Sequence, residues 1–437
     1  MLKESAGKCG DLAVGLKDKL LRITESHRRL FRNRSFVLLW SGQTVSVFGD
    51  AFFNLAVMWV VWSETQSTLQ TAIIQAIWHL PDIIFAPLAG VLADRWDRKA
   101  IMVTTSLAAA AVVGAVALLV ALVGHLPPVI AFVAVFKLNS LTAFMSPARA
   151  SIMPSVVGRD LLTTAQGLFS TARETASLVG SAAGGLLIAA ASAVWALAVD
   201  AVSFLFVALC IALARLPGRA VPAAASHANE VRSRFTPRSL IDDLRAGWRT
   251  AAGLPVVRAL LWLGVLVNIC SFMGPLWPAL VQERLGGGAG SFGILLAAGT
   301  AGGIFGGLAA GPLERRFGAG RVLAAGWSLA GVCTLGIAAS TWVPVTLVLE
   351  LVETAALTAS MVASGAIAIT SVPEAYRGRV FGTLRSLSVV LIPASALTGG
   401  WIAEFVEIWV MFAAGGTLLL ALALAAWANP HIRAARI

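Results

Sequence analysis

Twelve stretches of this chain are apolar over the length of a bilayer crossing. They run roughly over 36–62, 70–93, 100–124, 127–148, 164–190, 193–214, 257–281, 290–312, 320–340, 343–370, 378–402 and 407–428. A membrane helix needs about 20 apolar residues, and in hydrocarbon each backbone N–H and C=O must be satisfied within the segment itself. The runs therefore predict an all-α membrane protein with twelve transmembrane helices. Composition agrees, with 58% of the 437 residues hydrophobic and 13% charged, against about 25% charged in ordinary soluble domains.

The net charge of +11 would suit a nucleic-acid binder, but its placement argues otherwise. Of the 33 Lys and Arg, Lys137, Arg173 and Arg385 lie inside runs and Arg284 lies in a turn on the opposite side. All the others fall on one side of the membrane. The turns around 63–69, 124–127, 191–192, 341–342 and 403–406 carry no Lys or Arg. This positive-inside bias predicts that both termini are cytoplasmic. Membrane lipids are expected partners and nucleic acid is not.

The runs fall into two sets of six. An amphipathic segment over 1–35 is expected to lie on the cytoplasmic leaflet, with Leu12, Leu16, Leu20, Ile23, His27 and Leu30 on one face. A first bundle covers 36–214, a Pro- and Arg-rich cytoplasmic linker 215–256, a second bundle 257–428 and a tail 429–437. The halves echo each other: LLWLG at 260–264 repeats LLWSG at 38–42, and Gly382, Gly399 and Gly400 repeat the spacing of Gly167, Gly184 and Gly185. Two six-helix halves about a pseudo-two-fold axis along the membrane normal are expected. Within the eighth run Gly299, Gly303, Gly307 and Gly311 recur every four residues, as on a packing face. The cysteines, Cys9, Cys210, Cys270 and Cys333, show no metal or redox spacing. Nor do the first 35 residues contain the continuous apolar core of a cleavable signal.

The loop GVLADRWDRK (90–99) joins the second and third runs and carries five charges in its last six positions. Its pattern Gly-x-x-x-Asp-Arg-x-x-Arg-Lys closely resembles the loop 2–3 signature of the major facilitator superfamily, with Asp97 where that signature has its second Gly. GPLERRFGAGR (311–321) is a degraded echo of it. Residues Gly167, Ala176, Gly180, Ser181, Gly184 and Gly185 resemble the superfamily's antiporter motif, with Ala176 in place of a Gly and Ser181 in place of a Pro. LWSGQTVSVFGD (39–50), SPARASIMPSVVGRDLLTTAQGL (146–168) and LAVDAVSFLF (197–206) are similar to the bacterial branch of macrolide-efflux proteins and enterobactin exporters. The resemblance implies the major facilitator fold and transport by alternating access. The Gly-Asp step at Asp50 also faintly resembles the first helix of ferroportins, but the metal-binding His expected one turn later is Asn54 here, so no metal site is expected.

Ionisable residues inside a membrane are costly and are functional candidates. Asp50, Asp82, Glu350 and Glu353 are the proton-coupling candidates, because burial favours the neutral acid and lets a carboxylate take up and release a proton. Glu350 and Glu353 share one helix face. Asn54, His79, Lys137, Asn139, Arg173 and Arg385 are candidates for lining the substrate cavity. Arg173 is also expected to pair with Glu174, and Asp200 to be structural. The resemblance makes Gly90, Asp94, Arg95, Arg98 and Lys99 gating residues, with Arg377 and Arg379 meeting Asp94 across the halves.

No phosphate-binding loop and no His-Glu-x-x-His helix is present in the sequence. The expectation is therefore not an enzyme but a secondary transporter, a monomer without cofactor or metal, in the bacterial inner membrane. It is read as a proton-coupled exporter of amphiphilic organic compounds. Fourteen Trp and 20 Phe suit an aromatic-lined cavity. Uptake, lipid or lysophospholipid transport, metal-ion export and a transport-inactive sensor are the alternatives.

Overall fold

The computed structural model describes residues 24–158, 160–216, 255–372, 390–433 and 435. In chain order the helices are α1 (Arg34–Thr65), α2 (Thr68–Arg95), α3 (Arg98–Val123), α4 (Pro128–Val157), α5 (Leu162–Ala190) and α6 (Ala193–Leu213). Then come α7 (Pro255–Val267), α8 (Ala289–Phe317), α9 (Ala319–Ala339), α10 (Val343–Ser371), α11 (Val390–Ile402) and α12 (Ile408–Ala428). Among the described residues nine helices are long and apolar enough to cross a membrane. The other three expected runs are occupied by α2, α5 and α11. The chain is an all-α, multi-pass membrane protein.

In the first half α1 packs on α5 and α6, α3 on α4 and α6, and α2 on α4. In the second half α10 packs on α8 and α9, and α9 on α12. The halves meet where α5 crosses α8 and where α2 meets the continuation of α7. The α5–α8 crossing needs glycine on both sides: a methyl on Gly293 would lie 2.6 Å from Gly185 Cα. One apolar core binds the halves here, with Phe52, Leu55 and Val61 of α1 packed together with Phe292 and Leu295 of α8.

The turns explain two features of the sequence. Asp97 caps α3, its Oδ1 accepting from the Ala100 N–H at 2.9 Å, with φ −64°. That backbone needs no glycine, so an acid that satisfies an orphan helix N–H fits in its place. Lys99 donates to the Ala212 and Ala214 carbonyls at 2.8 and 2.9 Å, capping the end of α6.

Several elements differ from the expectation. α4 does not end in the polar SPARASIMP stretch; it runs through Pro147 and Pro154 and stops at Gly158, φ 78°. The seventh run is not one helix. After Val267 it becomes a 3-10 stretch (Asn268–Leu276), one α turn and a π turn (Leu280–Arg284), and it contains Pro275 and Pro278, which interrupt a regular helix ladder. On α8 the tight contact with α10 belongs to Gly302 and Gly306, set against the Leu351 and Ala355 carbonyls, and not to Gly303, Gly307 or Gly311. The described end of the amphipathic segment, 24–32, docks on protein: Leu30 is buried with Phe36, Met153 and Val157. Most of that segment, the linker 217–254 and residues 373–389 lie outside the described residues.

Candidate functional site

Asp50 stands midway along α1, half-buried. Two turns earlier on the same helix, Gln43 Oε1 accepts from Arg149 Nη1 of α4, and the Arg149 charge acts on Asp50. The sequence places Arg149 just past the fourth run, among the cations on one side of the membrane. Because α4 continues as helix, its guanidinium lies inside the bundle. Gln43, Ser146, Arg149, Gln166, Ser170 and Arg173 line a polar cavity of about 340 Å³ between α1, α4 and α5. Arg173 itself is exposed and donates from Nη2 to Glu174 at 2.8 Å.

Asp200 of α6, fully buried, is a second acid in this region. Ser203 donates to its Oδ1 at 3.2 Å, and Oδ2 has no protein partner. Asp200 and Asp50 act on each other electrostatically. Gly49 makes this approach possible, because a methyl there would lie 2.5 Å from Asp200 Oδ1. Gly180 of α5 seats on the Phe48 carbonyl on another side of α1. The spaced glycines thus bring α1 against α5 and α6 around Asp50.

The second half holds a different acid site. Glu353 is buried and Glu350 half-buried on α10. Glu350 and Glu353 lie seven and ten residues from its start, so about 10 and 15 Å along it. Glu350 leans on α8, where a methyl on Gly299 would lie 2.8 Å from its Oε1. Thr334 of α9 reaches Glu353, whose Oε2 has no protein partner. Cys270 and Cys333 lie within electrostatic reach of Glu353.

The other candidates are dispersed. Asn54 is half-buried on α1, one turn past Asp50, and His79 is half-buried on α2. Asn139 donates to the Val135 carbonyl of its own helix at 2.9 Å, and Lys137 is exposed. The backbone at Gly90 continues α2. Arg98 Nη1 reaches the Ser151 carbonyl at 3.5 Å, within the first half. The side chains of Asp82, Asp94 and Arg95, and Arg377, Arg379 and Arg385 altogether, lie outside the described residues. Among the described residues no group of three or more His, Cys, Asp or Glu is placed to hold a metal ion.

At the end poor in Lys and Arg, the halves are joined by specific bonds. Trp62 Nε1 of α1 donates to Gln282 Oε1 at 2.8 Å, with Trp62 fully buried. Glu404, just past α11, caps α2 from the other half. Its Oε1 accepts from Ser67 Oγ at 2.7 Å, Leu69 N at 2.8 Å and Thr68 Oγ1 at 3.2 Å. Thr68 Oγ1 also reaches the Gly400 carbonyl at 2.8 Å. Partial burial would hold the Glu404 carboxyl up, but these donors outweigh it and leave it below the ordinary value of 4.5.

Comparison with known proteins places this architecture. Solved structures of a nucleoside transporter, NupG (TM-score 0.69, 11% identity, 91% of this chain and 99% of that one), and of an inward-facing bacterial homologue of ferroportin (0.62, 17%, 92% and 100%) share the fold. The chain is 30% identical to macrolide efflux protein A of Streptococcus pyogenes over 42% of its length. That match spans 45% of the relative, less than half of it. It is 25% identical to the multidrug efflux pump Tap of Mycolicibacterium fortuitum over 92% of its length and 97% of the relative. A model of the transmembrane secretion effector family matches residues 26–435. With nearly every described helix inside that match, the chain belongs to the transmembrane secretion effector family of the major facilitators.

Proposed function

We propose that this protein is a secondary transporter that exports amphiphilic organic compounds in exchange for protons, by alternating access. The observation that carries the reading is Asp50, an acid in the middle of α1 within electrostatic reach of Arg149. A carboxylate at this depth is held for a purpose, because an unneeded charge there is expensive. The Arg149 charge on α4 acts on it, so taking up a proton changes the electrostatic balance between α1 and α4.

The end rich in Lys and Arg is read as cytoplasmic. The bonds of Trp62 and Glu404 at the opposite end then support an inward-facing state, sealed toward the outside. The small-residue α5–α8 crossing supplies a smooth surface on which the halves can rock. Export of drug-like compounds is favoured by the efflux relatives named above. The cycle would load the compound at Arg149 and Gln43 from the cytoplasmic side. A proton arriving at Asp50 from outside would reset the transporter.

The test is efflux of a macrolide from proteoliposomes under an imposed pH gradient. Wild type should respond to the gradient. Asp50→Asn, a permanent mimic of the protonated acid, should bind the compound but show no gradient-driven efflux. A gradient response equal to wild type in Asp50→Asn would move the proton site to Asp82 or to Glu350 and Glu353. A macrolide susceptibility unchanged by this gene, in cells lacking their own pumps, would remove the substrate class.

A further inference from the structure

A groove on the second half, lined by neither Glu350 nor Glu353, has the form of a lipid site. It arises from how three helices pack. α8 sinks onto α10 through Gly306, and α9 sinks onto α10 through Gly326, where a methyl would lie 2.7 Å from the Ala356 carbonyl. Each is close to α10 but they are far less engaged with one another. The result is a trough of about 550 Å³ between α8 and α9, floored by Ala355 and Ala359 and walled by Phe305, Leu313 and Leu329. Its lining is almost wholly apolar except at one end, where Arg321 stands. Arg316 lies over the ring of Phe317, a lining residue, at 5.3 Å. Glu314, the acid of this turn, does not line the groove.

We propose that this groove binds one acyl chain of an anionic phospholipid from the leaflet at the Lys- and Arg-rich end, with the phosphate at Arg321 and Arg316. Two independent features select this occupant. The first is length. From Phe305 to Phe317 is twelve residues of helix, about 18 Å, close to the ~15 Å depth of one leaflet's share of a ~30 Å hydrocarbon core. The second is charge. The guanidiniums stand at the end of the trough where a lipid of that leaflet carries its headgroup, and a basic pocket between membrane helices at that level fits an anionic headgroup. The first turn of α9, which starts at Ala319, adds the positive end of a helix dipole at the same level.

The experiment uses the full chain in nanodiscs of phosphatidylglycerol and phosphatidylcholine in equal amounts. The protein is extracted into detergent, and the phospholipid that stays bound is counted by native mass spectrometry. Wild type should retain about one phosphatidylglycerol per chain in clear preference to phosphatidylcholine. Arg321→Gln should keep a lipid but lose about fivefold of the headgroup preference, the weight of one basic residue at a charged surface. Ala325→Trp, which fills the trough, should lose both lipids while remaining monodisperse. Ala309→Phe, from the opposite wall, serves in its place if that variant does not fold. Equal retention of both lipids by wild type would overturn the proposal, as would an unchanged preference in Arg321→Gln. Displacement of the lipid by a macrolide would assign the groove to substrate instead. A dimer abolished by Ala325→Trp would assign it to a second copy of the chain.

Discussion

The two halves share one fold yet hold their membrane acids in opposite ways. In the first half Asp50 is acted on by Arg149, a cation of another helix, and acts on the buried acid Asp200. In the second half Glu350 and Glu353 face one another on a single helix, and α10 carries no Lys or Arg over its whole length. The first acid site has a cation of another helix within electrostatic reach, whereas the helix that carries the second has none of its own. A repeated architecture therefore does not imply a repeated setting for the acids.

The largest effect expected from this contrast is on coupling. Asp50→Asn should reduce pH-driven efflux to the passive level, whereas Glu353→Gln should leave a measurable gradient response. The measurement is initial efflux from proteoliposomes at matched protein density. Reversal of the two outcomes would break the comparison.

Next comes stability. Arg149→Ala removes the Arg149–Gln43 bond and the cation that acts on Asp50, and should lower thermal stability by about 1.5–3 kcal/mol, the worth of a hydrogen bond to a charged group. Combined with Asp50→Asn the loss should shrink, with a coupling of about 1–3 kcal/mol in a double-mutant cycle. Strictly additive effects would mean that the two charges do not sense one another. Glu353→Gln should be neutral or stabilising by up to about 1 kcal/mol, because it removes a like charge beside Glu350. A loss of several kcal/mol would show that Glu353 is balanced after all.

The smallest effect concerns Glu404, whose contact holds the halves together at the end with few cations. Its carboxyl sits below the ordinary 4.5, so the charged form is the one the α2 N-terminus stabilises. The contact should be at full strength above the ordinary value and should fail as pH falls through the lowered one. Spin labels at residues 63 and 406 should report an unchanged distance from pH 7 to about 5 and a wider distribution only well below 4.5. Glu404→Gln should shorten the life of the closed state by a few-fold, the worth of a charge-assisted contact at the surface. Opening already at pH 6 would contradict the assignment.

Much of this was legible in one dimension. The number of crossings, their spacing, the charge bias and the loop at 90–99 depend on local composition, and a bilayer imposes a length and polarity that a sequence must show run by run. Asp50, Glu350 and Glu353 were visible for the same reason, as charges within apolar runs. Which acid has a counter-charge was not. Arg149 is in a segment that reads as a polar exit, because Pro147 and Pro154 ordinarily mark a helix end. Only packing against α2 and α3 carries the helix through both prolines and returns Arg149 to the bundle. Asp200 read as structural on a peripheral helix, and no local pattern tells that Gly49 lets it approach Asp50. The cap that Glu404 places on α2 joins positions 335 residues apart in the chain. Such pairings are set by helix packing at distances that periodicity does not encode, and they alone decide which charges are balanced and which end is closed.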